Sequence, residues 1–230
     1  MASKDVAALA ALLADETRAA FCLALLDGRA WTAGELARHA RVAPSTASGH
    51  LGKLVAGGLL AEERQGRHRY VRLAGESSAQ LVEVLAAHAA LSDEPPRTLR
   101  AASARSAMAR GRTCYDHLAG RLGTAITEAM TSRGLLRQDT GFALTDAGLD
   151  WFRTVGITLP AGGRRPLVRA CLDWTERRPH LAGLAGAELC RHALSAGWCA
   201  RIGSERAVRV TPDGERALGD LLGIDAGILR

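Results

Sequence analysis

Up to about position 92 the chain alternates apolar stripes at helical spacing with short stops. Asp15 precedes a stripe carrying Phe21, Leu25 and Leu26, and Gly28 closes it, which predicts a helix over roughly 16–27. Thr32 and Glu35 stand three apart. At that spacing a hydroxyl and a carboxylate satisfy each other's backbone N–H groups, so a short helix over about 33–40 begins there. Pro44 suits the first turn of the next helix, where a missing N–H is harmless. Along it Leu51, Leu54 and Val55 share one face, and Gly57-Gly58 ends it. The chain then runs from Leu59 into Arg64-Gln65-Gly66-Arg67 and returns to Leu73, a hairpin turned at Gly66. On the return run Arg67, Arg69 and Val71 face one way and His68, Tyr70 and Arg72 the other.

The polar positions supply the chemistry. Ser45, Thr46, Ser48, Gly49 and Lys53 lie mostly opposite the leucines. Small hydroxyl side chains serve base edges or phosphates, and a glycine lets the backbone come close. Ser45, Thr46, Ser48, Gly49 and His50 are therefore the candidates for a DNA groove, with Lys53 for phosphate. Four arginines between Arg64 and Arg72, with no acid among them, suit phosphate or minor-groove contact, and Arg64, Arg67 and Arg69 are the candidates on the hairpin.

In this order of elements the chain resembles the ArsR/SmtB family of bacterial winged helix-turn-helix repressors over residues 1–92. The carrying segments are DETRAAFCLALL (15–26), TAGELARHARVAPSTASGHLGKLVAGGLL (32–60) and GRHRYVRL (66–73). The resemblance implies a homodimer on a palindromic double-stranded operator, paired through helices at about 4–14 and 77–91. Two departures stand out. Ala43 replaces the serine that usually caps the reading helix, a loss of about 1 kcal/mol. The family's thiolate metal motif is missing, since GELARHA has no cysteine and the last helix offers only His88. Metal sensing at the family's usual positions is not expected.

Composition narrows the setting. The 230 residues allow one large or two small domains, and 47% hydrophobic content is ample for a core, although aromatics are only 4%. No apolar run approaches the ~20 residues of a membrane span. The acid-bearing N-terminus does not read as a signal peptide, so the expected location is the cytoplasm, away from any membrane. A net charge of +6 fits a polyanionic partner. Five arginines in 97–112 read best as a solvated helix face or linker. Five cysteines, an odd number, argue against a disulfide framework.

Pro95-Pro96 marks a boundary, and beyond it the chain repeats itself. HLAGRLG (117–123) returns as HLAGLAG (180–186), and FALTDAG (142–148) as VRVTPDG (208–214). The expected fold class is mainly α with small β-hairpins (α+β). It comprises a winged helix over 1–92 and a sensing or dimerisation domain over 97–230, built from winged-helix-like units at about 113–157 and 171–224. Glutamates on their helices and acids in their hairpins argue that these units pack and sense rather than read bases. An ordinary helical domain is the alternative.

Candidate sensing residues are Cys171, His180, Cys190, Cys199, Trp174 and Trp198: a thiol site, or aromatics lining an effector pocket. Each also reads as core filling. No CxxC pair exists, so no metal ligands and no cofactor are assigned. Cys114 beside Asp116 and His117 is either a reactive thiol or a packed one. No catalytic motif is found, and an enzyme is not expected. The reading is a DNA-binding transcriptional regulator, a homodimeric repressor released by a small-molecule effector. The alternatives are a thiol- or metal-responsive repressor using the C-terminal Cys and His residues, and a winged-helix protein-interaction module.

Overall fold

The computed structural model describes residues 2–66, 68–89, 98–139, 141–160, 165–203 and 206–229. Arg67, the Ser92–Pro96 boundary and Arg97 lie outside the described residues. The chain divides into two compact units, Met1–Ala86 and Ala87–Arg230.

The first unit runs α1 (Ala2–Leu13), α2 (Glu16–Ala24), a 3-10 turn (Leu25–Asp27), β1 (Trp31–Thr32), α3 (Ala33–Ala40), α4 (Pro44–Ala56), β2 (Leu60–Gln65), β3 (His68–Leu73) and α5 (Glu76–Ala89). Local chemistry sets these boundaries. The Asp15 carboxylate accepts the Arg18 N–H at the start of α2. Thr32 and Glu35 make both bonds of the capping box that starts α3. α4 has no side-chain cap at Ala43 and relies on Pro44 in its first turn. The stripe predicted over 16–27 tightens after Ala24 into the 3-10 turn, whose end is tied down by buried Asp27 accepting from the Arg29 N–H and the Trp31 indole.

The strands form one antiparallel sheet in the order β1-β3-β2. β1 is a third strand that the hydrophobic pattern did not reveal; it pairs Trp31 with Val71 and Thr32 with Tyr70. Phe21, Leu25, Leu26, Leu36, Ala47, Leu51, Leu54, Val71 and Leu73 are buried, while Val55 is only half-buried.

The second unit starts with α6 (Leu99–Arg110) and then repeats one order twice. The first repeat is β4 (Arg112–Cys114), β5 (His117–Ala119), α7 (Gly120–Ser132), β6 (Leu136–Arg137), β7 (Ala143–Leu144) and α8 (Asp146–Thr154). The second is β8 (Arg169–Leu172), β9 (Pro179–Ala182), α9 (Gly183–Ser195), β10 (Cys199–Arg201), β11 (Val208–Val210) and α10 (Pro212–Leu222). Each repeat thus opens with a hairpin ahead of the helix, ribbon and helix read from the sequence. Thr145 and Thr211 do the same work in each, accepting from Gly148 N–H and Gly214 N–H at the starts of α8 and α10.

The repeats exchange partners. α7 packs on β9 of the second repeat and α9 on β5 of the first. Leu118, Leu122, Ile126, Met130, Phe152, Leu181, Leu189, Trp198 and Leu218 therefore share one core. Two equivalent glycines permit this closeness. A Cβ at Gly123 would run into the Leu118 carbonyl and stand 3.5 Å from the His180 Cβ. A Cβ at Gly186 would run into the Leu181 carbonyl and stand 3.2 Å from the His117 Cβ.

The basic stretch expected to be solvated forms α6, but Arg112 at its end is fully enclosed. Its guanidinium donates to Asp173 Oδ2 at 3.0 Å, to the Met108 carbonyl and to Thr175 Oγ1, and it lies 4.7 Å from the centre of the Trp174 ring. Asp173 Oδ2 also accepts the Gly120 N–H at 2.6 Å, while Oδ1 takes the Thr175 N–H, the Thr175 hydroxyl and the Glu176 N–H. Burial works against the Asp173 carboxylate, yet the charge of Arg112 and these donors hold its pKa well below the usual range.

Gly186→Ala should destabilise the chain by about 1–3 kcal/mol in chemical denaturation, because the new methyl meets the Leu181 backbone and the His117 Cβ, neither of which can swing aside. Gly49→Ala, with open space around it, should not lower stability. Arg112→Met should cost about 3–5 kcal/mol by leaving the Asp173 charge buried without its partner. The exposed control Arg209→Met should stay within about 0.5 kcal/mol; equal losses for the two would show that the Arg112 pair contributes nothing special.

Candidate nucleic-acid interface and a Cys/His cluster

Helix α4 is two-sided. Ala47, Leu51 and Leu54 turn into the core, while Ser45, Thr46, Ser48, Gly49 and Lys53 are exposed. Packing does not demand the glycine at position 49, where no atom lies within 4 Å of the place a Cβ would occupy. His50 differs from its neighbours. It is half-buried, its Nδ1 accepts from Arg18 Nη1 at 3.3 Å, and it lies 3.5 Å from the Asp15 carboxylate. Arg18 in turn donates to the carbonyls of Ala11 and Leu12. The histidine thus joins α4 to the start of α2 and the end of α1.

The hairpin beside it pairs Leu60 with Leu73 at its base and Gln65 with His68 near its tip. Arg64 and Arg69 face each other across the strands, and both reach Glu62, at 3.3 and 2.7 Å. Partial desolvation raises the Glu62 pKa, but the two arginines outweigh it and hold the pKa below the usual glutamate range. Arg64 keeps 79% of its side chain exposed in this pairing, whereas Arg69 is held closer in at 31%.

In the second unit the candidate sensing residues do not form one site. Cys190 and Cys199 are core residues whose thiols burial pushes up to about 12. Trp198 packs edge-on against His192, and Trp174 covers Arg112. A surface hollow of about 220 Å³ is lined by residues including Thr127, Glu128, Gln138 and Arg178, and neither tryptophan borders it.

Cys171 and His180 instead meet Cys114 and His117. In β4–β5, Cys114 pairs in register with His117; in β8–β9, Cys171 pairs with His180. The reciprocal packing brings the two pairs together. The sulfurs lie 3.8 Å apart and the two imidazole Nε2 atoms 3.1 Å apart, and all four donor atoms lie within 4.8 Å of one another. Cys114, His117 and His180 are buried, and Cys171 is half-buried.

Each ring has a carboxylate behind it. His117 Nδ1 lies 3.3 Å from Asp116, and His180 Nδ1 lies 3.4 Å from Asp173 Oδ2 without a hydrogen bond to it or to any other described residue. Asp116 is itself clamped by both terminal nitrogens of Arg165 at 2.6 and 3.0 Å. Desolvation would lower the His117 pKa, but Asp116 and Cys171 together raise it. The thiol of Cys171 is held far below the ordinary range, chiefly by its contact with Cys114 and then, against the effect of burial, by the two histidines. Spacing along the sequence did not bring out this set, because its members stand 57 and 63 residues apart.

Among known proteins, a helix-turn-helix domain model matches residues 13–63. An HTH-type transcriptional regulator of Bacillus subtilis (strain 168), YdfF, itself uncharacterised, is 38% identical over 216 residues, covering 93% of this chain and 95% of that protein. Among solved structures, the winged helix-turn-helix domain of Mb0332 from Mycobacterium bovis is 31% identical over 37% of this chain and 79% of its own, with a TM-score of 0.35. Reduced HlyU from Vibrio cholerae is 25% identical over 36% of this chain and 86% of its own, with a TM-score of 0.34. Among the described residues no helix is long and apolar enough to cross a membrane. With a relative matched along nearly its whole length and the helix-turn-helix in place, the chain belongs to the helix-turn-helix transcriptional regulators, and its N-terminal DNA-binding unit is a winged helix of ArsR-like order.

Proposed function

We propose that the protein is a cytoplasmic, homodimeric, sequence-specific repressor whose grip on its operator is released by an effector acting on the second unit. The observation that carries this reading is the exposed hydroxyl face of α4, with Ser45, Thr46 and Ser48 standing clear of the core beside the exposed Arg64. In a dimer, two such helices would enter successive major grooves about 34 Å apart. Pairing through α1 and α5 is supported by apolar side chains left exposed there: Val6 on α1 and Val84 and Leu85 on α5. Release follows from linkage, since an effector that binds better to a geometry mismatched with the half-sites draws the population away from DNA.

Fluorescence anisotropy on DNA from upstream of the protein's own gene, set against scrambled DNA at fixed salt, tests the reading. Tight binding to the native sequence alone is the expected result; equal, weak binding to both would favour a protein-interaction module. Arg64→Ala should weaken binding to both DNAs alike and lower the salt slope by about 1. Ser48→Ala should weaken only operator binding, by about 1–3 kcal/mol if the hydroxyl serves a base edge. Leu85→Glu should shift the chain toward monomer in analytical ultracentrifugation and reduce operator affinity. A variant that stays dimeric would move the pairing surface elsewhere.

A further inference from the structure

We propose that Cys114, His117, Cys171 and His180 are the four ligands of a zinc ion that fastens the two repeats of the second unit together. The like atoms already stand near the separations such an ion needs, within a set of four donors no more than 4.8 Å apart. A tetrahedral zinc with Zn–S near 2.3 Å places two sulfurs about 3.8 Å apart, and with Zn–N near 2.0–2.1 Å it places two nitrogens about 3.3 Å apart. The sulfurs here are 3.8 Å apart and the nitrogens 3.1 Å. A disulfide would need the sulfurs at about 2.05 Å.

The carboxylates behind the two rings argue independently for a cation. Asp116 and Asp173, each held as a carboxylate by an arginine, stand behind the two Nδ1 atoms. A carboxylate at that position keeps the proton on Nδ1 and turns the Nε2 lone pair outward. The two Nε2 atoms then face each other at 3.1 Å among buried groups, close enough to share one proton or one metal ion. A metal ion between them would be bound by both nitrogens at once. Carboxylate behind histidine behind metal is also the usual outer-shell arrangement of zinc sites.

The charges balance. Two thiolates neutralise the divalent ion, so ion and ligands together carry no net charge, and whatever protons the four ligands still hold leave to solvent on binding. All four positions are filled by protein, leaving none for water, which marks a structural site rather than a hydrolytic one. Half-buried Cys171 gives the ion its route in. The site is unrelated to the helix positions at which the ArsR/SmtB resemblance would look for metal, since α3 carries no cysteine. It stands whether or not the protein represses transcription.

The test uses the full chain purified without chelator or added metal. Elemental analysis should return about one zinc per chain. After stripping under reductant, cobalt(II) should give the intense visible bands of a tetrahedral site and a near-ultraviolet thiolate charge-transfer band, both erased by one equivalent of zinc. Cys171→Ser should lower the zinc content at least tenfold, while Cys22→Ala, a buried thiol of the first unit, should leave it unchanged. Should Cys171→Ser fail to fold, the wild-type cobalt spectrum decides alone, and absence of the thiolate band overturns the site. Native protein without bound metal and with a Cys114–Cys171 disulfide would overturn it too, as would equal zinc in Cys171→Ser.

Discussion

A single enclosed carboxylate holds the second unit in register. Asp173 belongs to the second repeat, yet it takes donors from Arg112 and from the first turn of α7 in the first repeat, and from the turn that follows it in its own. A charge taken out of water must be matched nearly completely, so the two hairpins can approach each other only in the arrangement that supplies all these donors. The first repeat has its counterpart in Asp116, clamped by Arg165 from the stretch leading into the second. Both aspartates are thus held from across the repeat boundary, and both stand behind a histidine of the cluster.

Such internal pairing also changes the meaning of the chain's net charge. Part of the surplus of arginine is used internally. Arg112 is enclosed, Arg165 is bound to Asp116, Arg178 reaches Glu128, and Arg69 is drawn to Glu62. What faces a polyanion is set by exposure rather than by formal charge, and on the described hairpin Arg64 and Arg72 are the exposed arginines.

What could be read from the sequence was local. The capping box at Thr32 and Glu35, the stripe of Leu51 and Leu54, and the glycine-turned hairpin each rest on neighbours within a few positions, and each took its expected form. Strand β1 escaped because two residues carry no alternation, and its partner Val71 lies 40 residues on. The cluster escaped for a related reason: a search for metal ligands by spacing looks along the chain, and these ligands meet across it. The signal lay in the repeat itself. RTCYDHLAG and RACLDWTERRPHLAG place cysteine on cysteine, aspartate on aspartate and histidine on histidine once the inserted turn is removed. Trp174, read as pocket lining or core, sits in that inserted turn and shields the Arg112 guanidinium.

The exchange of helices between repeats bears on how the chain is born. α7 rests on β9 and α9 on β5, so the first repeat leaves the ribosome before its packing surface has been synthesised. Leu118 and Leu122 must wait, uncovered, until Leu181 and Leu189 follow them out. Contacts of such sequence separation close slowly, and apolar surface held open in the meantime invites association with other chains. The N-terminal winged helix has all its partners in hand by about position 89 and carries no such delay. One polypeptide therefore joins a half whose contacts are near in sequence to a half whose contacts must close across the repeat boundary.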